Sequence, residues 1–368
     1  MGSTVGVQRC FDYNPEEIAK HIAWLYTESN GPDPAGKTIL LKPNILSDDE
    51  PNKATTTHPA VIEAVIIYLQ SKGATVLVGD SPTFDTRKFT GENCGIRLVV
   101  SKCGATWVRF NEDSVIRKVG TAEIKVTSLI TQVDIIISLS KLKNHELMIL
   151  SGAIKNIFGF VPGFNKAMQH VRYPDRYKFG EFFVDLEEAI RPHFHIMDGI
   201  VAMEGPGPGN GYPKKVNVLL ASVNPLALDI VASRILGYNP LDIPTNKIAL
   251  ARGVLLKNTD EIIIKGTDPE TIIVRDFKRI DKGGESGIIF KYFKKKIPVI
   301  RRLIKRPVFD SKLCIGCSKC IDICPVKILH YDKRKKNKVL VKEAECIHCY
   351  CCQEVCREGA IEIKRKVF

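Results

Sequence analysis

Apolar residues fall along this chain in short blocks that alternate with helical patterns. "TILLK" (Thr38–Lys42) reads as a strand buried on both faces. A polar loop follows. "AVIEAVIIYLQSKG" (Ala60–Gly73) then has helical spacing, opened by His58-Pro59 and closed by Gly73. "TVLVGDSP" (Thr75–Pro82) and "VDIIISLSKLKNH" (Val133–His145) are further strands that end in polar residues. "FHIMDGI" (Phe194–Ile200) and "KVNVLLAS" (Lys215–Ser222) continue the series, and "PLALDIVASRILG" (Pro225–Gly237) predicts a helix. Continuous apolar strands between helices predict an α/β fold, a mostly parallel sheet with helices on both faces.

In such sheets ligands sit beyond the carboxyl ends of the strands. The residues at those ends are Lys42, Asn44, Asp80, Ser81, Lys141, Lys143, His145 and Asp198. One lysine or aspartate after a strand is ordinarily solvated or caps a helix; its recurrence at several strand ends points to a site. His58, Asp80 and His145 are the candidate proton donors. Lys42, Asn44, Ser81, Lys141, Lys143, Lys155 and Glu204 are the candidate substrate-binding residues, the lysines for a carboxylate or phosphate. "DGIVAMEGPGPGNG" (Asp198–Gly211) is rich in glycine but lacks the Gly-Lys-Ser/Thr end of a phosphate loop, and it precedes a strand instead of a helix. It reads equally as a closely packed loop or as an active-site loop.

The last 55 residues hold nine of the twelve cysteines. Cys314, Cys317, Cys320 and Cys324 follow the spacing C-x2-C-x2-C-x3-C, and Cys346, Cys349, Cys352 and Cys356 repeat it. Three thiolates of each run can surround one four-iron cube, with the fourth supplied by the other run. One [4Fe–4S] cluster is therefore expected on Cys314, Cys317, Cys320 and Cys356, and a second on Cys346, Cys349, Cys352 and Cys324. Zinc sites use two C-x2-C pairs, not two runs of four. Cys351 is out of register and is expected to ligate nothing. Over residues 308–368 the chain resembles a bacterial-type two-cluster ferredoxin, with Arg357 where that family often has proline.

Charge sharpens the division. The chain has 368 residues and a formal net charge of +13. Residues 1–277 carry 30 Lys and Arg against 31 Asp and Glu, whereas residues 278–307 carry 11 against 2. The expected organisation is an α/β domain over 1–277, a basic amphipathic linker over 278–307 and a ferredoxin domain over 308–368. The linker's "IIFKYFKKKIPVIRRLIKRP" suits helices packed on the core better than a membrane surface. No nucleic-acid motif accompanies the charge, so no nucleic-acid partner is expected. No apolar run reaches the roughly 18 residues that span a bilayer. With no secretory pattern at the amino terminus, a cytoplasmic location is expected.

"LKPNIL", "TTHPAVIEAV", "GDSP", "SLSKLKNHELMILSGAIKNIFGFVPG", "MDGIVAMEGPGPGNG" and "PLALDIVASRILG" resemble the DUF362 family over about residues 5–275. The resemblance implies an iron–sulfur protein of anaerobic or low-potential metabolism, and no particular reaction. The first reading is a ferredoxin-dependent reductase, an oxidoreductase whose small-molecule substrate binds the N-terminal domain. The second is an electron carrier or assembly subunit whose large domain docks a partner. The third is metal handling through His58, His145, Asp80 and Glu204. A redox partner protein (a ferredoxin, flavodoxin or oxidoreductase) is expected. A homodimer stays open, and so does a flavin, which often leaves no motif. If the chain is a reductase, the ferredoxin domain should dock near the strand ends.

Overall fold

In a computed structural model of the chain the structure describes residues 3–82, 90–163, 165–280, 305–332 and 339–365. In chain order the strands are β1 (Ser3–Arg9), β2 (Thr38–Pro43), β3 (Thr75–Val78), β4 (Thr106–Trp107), β5 (Ser114–Val119), β6 (Ala122–Thr127), β7 (Ile135–His145), β8 (Ile149–Ser151), β9 (Phe194–Glu204), β10 (Tyr212–Ser222) and β11 (Ile262–Gly266). Nine of them form one sheet in the order β11-β1-β10-β9-β7-β2-β3-β4, with β8 paired to β7 off that path. From β9 to β4 every neighbouring pair is parallel, while β10 runs antiparallel to both β9 and β1. The sheet is mixed and mostly parallel, as the apolar blocks predicted.

Alternation along the strands assigns the two faces. Ile39 and Leu41 meet the helices α1 (Pro15–Glu28), α2 (Pro59–Ser71) and α3 (Ile96–Lys102). Leu40 and Ile136 face the other side, in one core with residues of α4 (Ala153–Asn156) and α6 (Arg176–Ile190); α5 (Asn165–Arg172) lies between these two helices in the chain. Helix α7 (Pro225–Ile235) covers the β1, β9 and β10 part of that second face. Helix α2 begins where expected: Pro59 stands at its first turn, and the His58 ring accepts from the Ala60 amide at 3.2 Å. Gly73 follows its end at φ +87°, a conformation glycine adopts without strain.

Among the described residues the C-terminal module has two antiparallel strand pairs, Arg306–Phe309 with Ile361–Lys364 and Leu329–Tyr331 with Val339–Val341, and two short helices, Lys319–Ile323 and Cys351–Glu354. The module sits on the large domain. Gln353 donates to the Pro206 carbonyl at 2.9 Å, and Asn210 donates to the Gln353 carbonyl at 2.6 Å. Tyr350 is buried in the second-face core. Arg357 reaches Asp49 at 3.6 Å, so the departure from proline serves the contact between the two parts.

Gly209 lies in this seam. A Cβ there would stand 2.6 Å from the Glu354 backbone oxygen, which cannot move without the helix. Gly209→Ala is therefore expected to loosen the module while leaving the sheet intact. Hydrogen exchange at the Cys351–Glu354 amides should rise at least about tenfold, and exchange in β2 and β7 should not change. Most of the expected linker, residues 281–304, lies outside the described residues. Among the described residues no helix is long and apolar enough to cross a membrane.

Candidate functional site

The carboxyl ends of β2, β3 and β7 open onto a cavity of about 580 Å3. Its floor is made of strand ends and of the segment from β8 to α5; its roof is the C-terminal module. Lys42, Asn44, Asp80, Ser81, Lys143, Lys155, Asn156, Lys166 and His170 line it from the large domain, and Cys317, Lys319, Asp322, Ile323, Cys351 and Glu354 from the module. Ile45, Leu46, Pro82, Phe158 and Pro208 supply apolar wall. Pro208 brings the glycine-rich loop into the site, so that loop is both closely packed and part of the cavity.

Position 42 shares a face with Leu40, which points Lys42 toward α4. Its ammonium lies 3.0 Å from Asp80 and donates to the Pro43 carbonyl at 2.8 Å and to Asn156 at 3.2 Å. Asp80 also accepts from the amides of Ile45 at 2.8 Å and Ser81 at 2.7 Å. Gly159 permits this approach, because a Cβ there would fall onto Asp80 and the end of Lys42.

Lys143 donates to Asn44 at 2.8 Å and to the Thr55 carbonyl at 2.7 Å. Lys155 stands over the rings of Phe158 and Phe183 at 5.9 and 5.6 Å. Lys166 donates to the Ser81 carbonyl. Among the described residues none of these three ammoniums has a carboxylate as its hydrogen-bond or ion-pair partner. Burial lowers the pKa of all four lysines. Lys166 falls to about 7, with Asp80 opposing the fall and Lys42 and Lys155 adding to it.

That shift has a stability consequence. Between pH about 7 and the ordinary lysine value of 10.5 the unfolded chain binds a proton at Lys166 that the folded chain has lost. Stability is therefore expected to rise with pH across this window. Urea titrations at several pH values read the slope, and Lys166→Met should flatten it. An unchanged slope in that variant would refute the burial argument.

The other sequence candidates divide. His145 does not line the cavity. Its Nδ1 accepts from the Leu147 and Met148 amides, both at 3.2 Å, and burial lowers its pKa to about 4. The ring is neutral at neutral pH, with its proton on Nε2, 3.2 Å from Glu354 Oε1. Burial pushes Glu354 up, but His145, Lys155 and His170 pull it down further, to about 2. His145 thus contacts the module and does not face the cavity.

His58 stacks on Tyr13 at 3.5 Å beside Lys141 and Asp198, which pair at 2.7 Å on the α1 side of the sheet. Lys141 and Lys143 are two apart, yet the register between β7 and β9 shifts between them, and only Lys143 reaches the cavity. Glu204 accepts from the Lys278 amide at 2.8 Å, away from the cavity. His58, His145, Asp80 and Glu204 thus stand in four separate surroundings. Among the described residues no group of three His, Cys, Asp or Glu is set to hold a single metal ion. Lys166, His170, Asn156, Lys319, Asp322 and Glu354 are among the polar lining residues the sequence did not single out; only the lysine and histidine in "NKAMQH" offered a signal.

The module's thiols fit the expected cluster donors. Burial raises Cys320, and the nearby thiols of Cys356, Cys314 and Cys317 raise it further. Burial likewise raises Cys352, together with Cys349, Cys346, Cys320 and Cys324. Cys356 of the second run thus lies near Cys320, and Cys324 of the first run near Cys352.

Known proteins agree with both parts. A family model described as a domain of unknown function, DUF362, matches residues 39–234, and one described as a 4Fe-4S dicluster domain matches residues 313–360. A thylakoid-associated protein of Synechocystis sp. is 34% identical over 245 residues, 66% of this chain and 76% of that protein. An uncharacterized ferredoxin of Methanocaldococcus jannaschii is 36% identical over 58 residues, 16% of this chain and 75% of the ferredoxin. The lactate racemase apoprotein of Thermoanaerobacterium thermosaccharolyticum superposes with a TM-score of 0.44 at 12% identity, covering 63% of this chain and 57% of that one. With a family model over more than half its length and a relative matched over most of that relative's own length, the chain belongs to the DUF362 family and carries a 4Fe-4S ferredoxin-type domain.

Proposed function

We propose that the chain is an iron–sulfur reductase that delivers electrons to a small molecule held in the cavity beneath the ferredoxin module. One observation carries this reading: Cys317, a cluster ligand by its spacing, shares a cavity wall with the lysines at the strand ends. Cys314, Cys317, Cys320 and Cys356 would hold one [4Fe–4S] cluster, and Cys346, Cys349, Cys352 and Cys324 the other. When bound, such clusters supply single electrons at low potential.

Reduction of an acceptor by two electrons also consumes two protons, so the residues around it must bind the acceptor, exclude water and supply protons. Lys42 and Asp80 hold each other and fix the floor, with Asn44 and Asn156 beside them. Lys143 and Lys155 anchor the acceptor. Lys166 supplies one of the two protons in this reading, because its pKa is lowered to about 7 inside the cavity, and solvent at the open side of the cavity supplies the other. Asp80 is engaged in its ion pair with Lys42, while His58 and His145 act structurally. The electrons come from a reduced redox partner protein, a ferredoxin, a flavodoxin or an oxidoreductase, which is oxidised in turn. Leu313 and Ile315, exposed on either side of Cys314, offer it an apolar contact.

The test is anaerobic. Chain loaded with iron and sulfide is reduced with a low-potential donor, then mixed with unsaturated acids and phosphate esters while the iron–sulfur absorbance is followed. Reoxidation by one class of acceptor, slowed by Lys166→Met, supports the reductase. Reoxidation by partner proteins alone, with every small molecule inert, supports the carrier reading.

A further inference from the structure

The charges around the cavity do not balance. Four ammoniums, Lys42, Lys143, Lys155 and Lys166, face two carboxylates, Asp80 and Glu354. Lys42 is taken up by Asp80 at 3.0 Å, and Glu354 is turned to His145 at 3.2 Å. Lys319 and Asp322 come from the roof and offset each other in formal charge; Cys317, Cys351 and His170 are the other titratable residues of the described lining. With every lysine protonated, the described lining, the cluster thiol of Cys317 left aside, holds an excess of two positive charges. Buried charge without a partner is costly, and proteins relieve it by losing the proton or by gaining a counter-ion.

The lysines also keep donors in hand. Lys143 spends two of its three on Asn44 and Thr55. Lys166 spends one on the Ser81 carbonyl. Lys155, though deep in the wall, is half-buried by accessible surface, which leaves part of it open to the cavity.

We propose that the cavity takes a small molecule bearing at least two negative charges on carboxylate or phosphate oxygens, held by Lys143, Lys155 and Lys166, and that protons are taken up as it binds. The proposal rests on the reading of the cavity as a small-molecule site and names its substrate class. Without the anion the excess charge is relieved by deprotonation, in keeping with the lowered pKa values of all three lysines. With the anion present, each ammonium has a counter-charge and the protonated form is restored. Binding thereby charges Lys166 with the proton it would donate. The apolar walls at Ile45, Leu46, Pro82 and Phe158 suit a carbon body between the charged ends.

The experiment is calorimetry on full-length, cluster-loaded protein near neutral pH. Malonate, inorganic phosphate and acetate are titrated in two buffers of different ionisation enthalpy. The expected result is saturable binding of malonate or phosphate at least about tenfold tighter than acetate, with net proton uptake. Malonate against phosphate tells which oxyanion is preferred. Lys166→Met should weaken dianion binding about tenfold and reduce the uptake, while Lys214→Met, outside the cavity, should change neither. Should Lys166→Met fail to fold by circular dichroism, Lys155→Met provides the same readout. Acetate binding as tightly as the dianions, proton release or no proton exchange, or lysine variants with unaltered affinity would each overturn the proposal. Dianion binding with proton uptake but no transfer from reduced clusters to any acceptor would leave this inference standing and sink the reductase.

Discussion

Lys42→Ala is expected to remove about 3–5 kcal/mol of folding stability, the range for breaking a buried ion pair from one side. The Lys42 and Asp80 side chains are 1% and 3% exposed. Alanine at position 42 would leave the Asp80 carboxylate with the Ile45 and Ser81 amides and, among the described residues, without an ion-pair partner. Asn156 and the Pro43 carbonyl would lose a donor as well. The double change Lys42→Met with Asp80→Asn keeps the volume and removes both charges. It should cost much less than Lys42→Ala alone, since an uncompensated charge is worse than none. Urea unfolding of the three proteins measures this. A loss under about 1 kcal/mol in Lys42→Ala would show that water reaches Asp80 freely, as for an exposed pair.

Cys324→Ser is expected to abolish one cluster while Cys351→Ser leaves both. The full chain should take up about eight irons with inorganic sulfide, and Cys324→Ser about four. The cluster lost should be the one on Cys346, Cys349 and Cys352, although Cys324 belongs to the other run, because ligation crosses between the runs. Cys351 is buried, adjoins the Cys349 thiol and lines the cavity. A serine there alters the wall and not the donor count. Iron and sulfide analysis with low-temperature EPR of the reduced forms decides it. Stoichiometric zinc, or equal iron loss in the two variants, would refute the assignment.

Much of the fold could be read from local pattern. Strand blocks such as Thr38–Lys42 stand where the structure has strands, because a segment covered on both faces must be continuously apolar. Helix α2 was bounded by Pro59 and Gly73 for backbone reasons that need no neighbours. The doubled cysteine spacing was legible because a four-iron body imposes its own geometry on the loop that holds it. The polar strand ends were legible as a set, since parallel strands carry their carboxyl ends to one edge.

Which of those polar residues meet was decided by tertiary structure. Lys141 and Lys143, two apart in one strand, would share a face in a regular ladder. The register shift at the end of β7 sends Lys141 to Asp198 and Tyr13, and Lys143 to Asn44. His145 looked like an acid–base residue, but two backbone amides and Glu354, 209 positions away, surround its ring outside the cavity. Lys166 and Glu354 sit in segments with no strand-end signal; they reach the cavity because α5 and the C-terminal module close over it. Periodicity and spacing are local properties of a chain and determined the elements and the two cysteine runs of the 4Fe-4S domain. The charge balance of the cavity sums groups from five separate segments, and only their packing determined it.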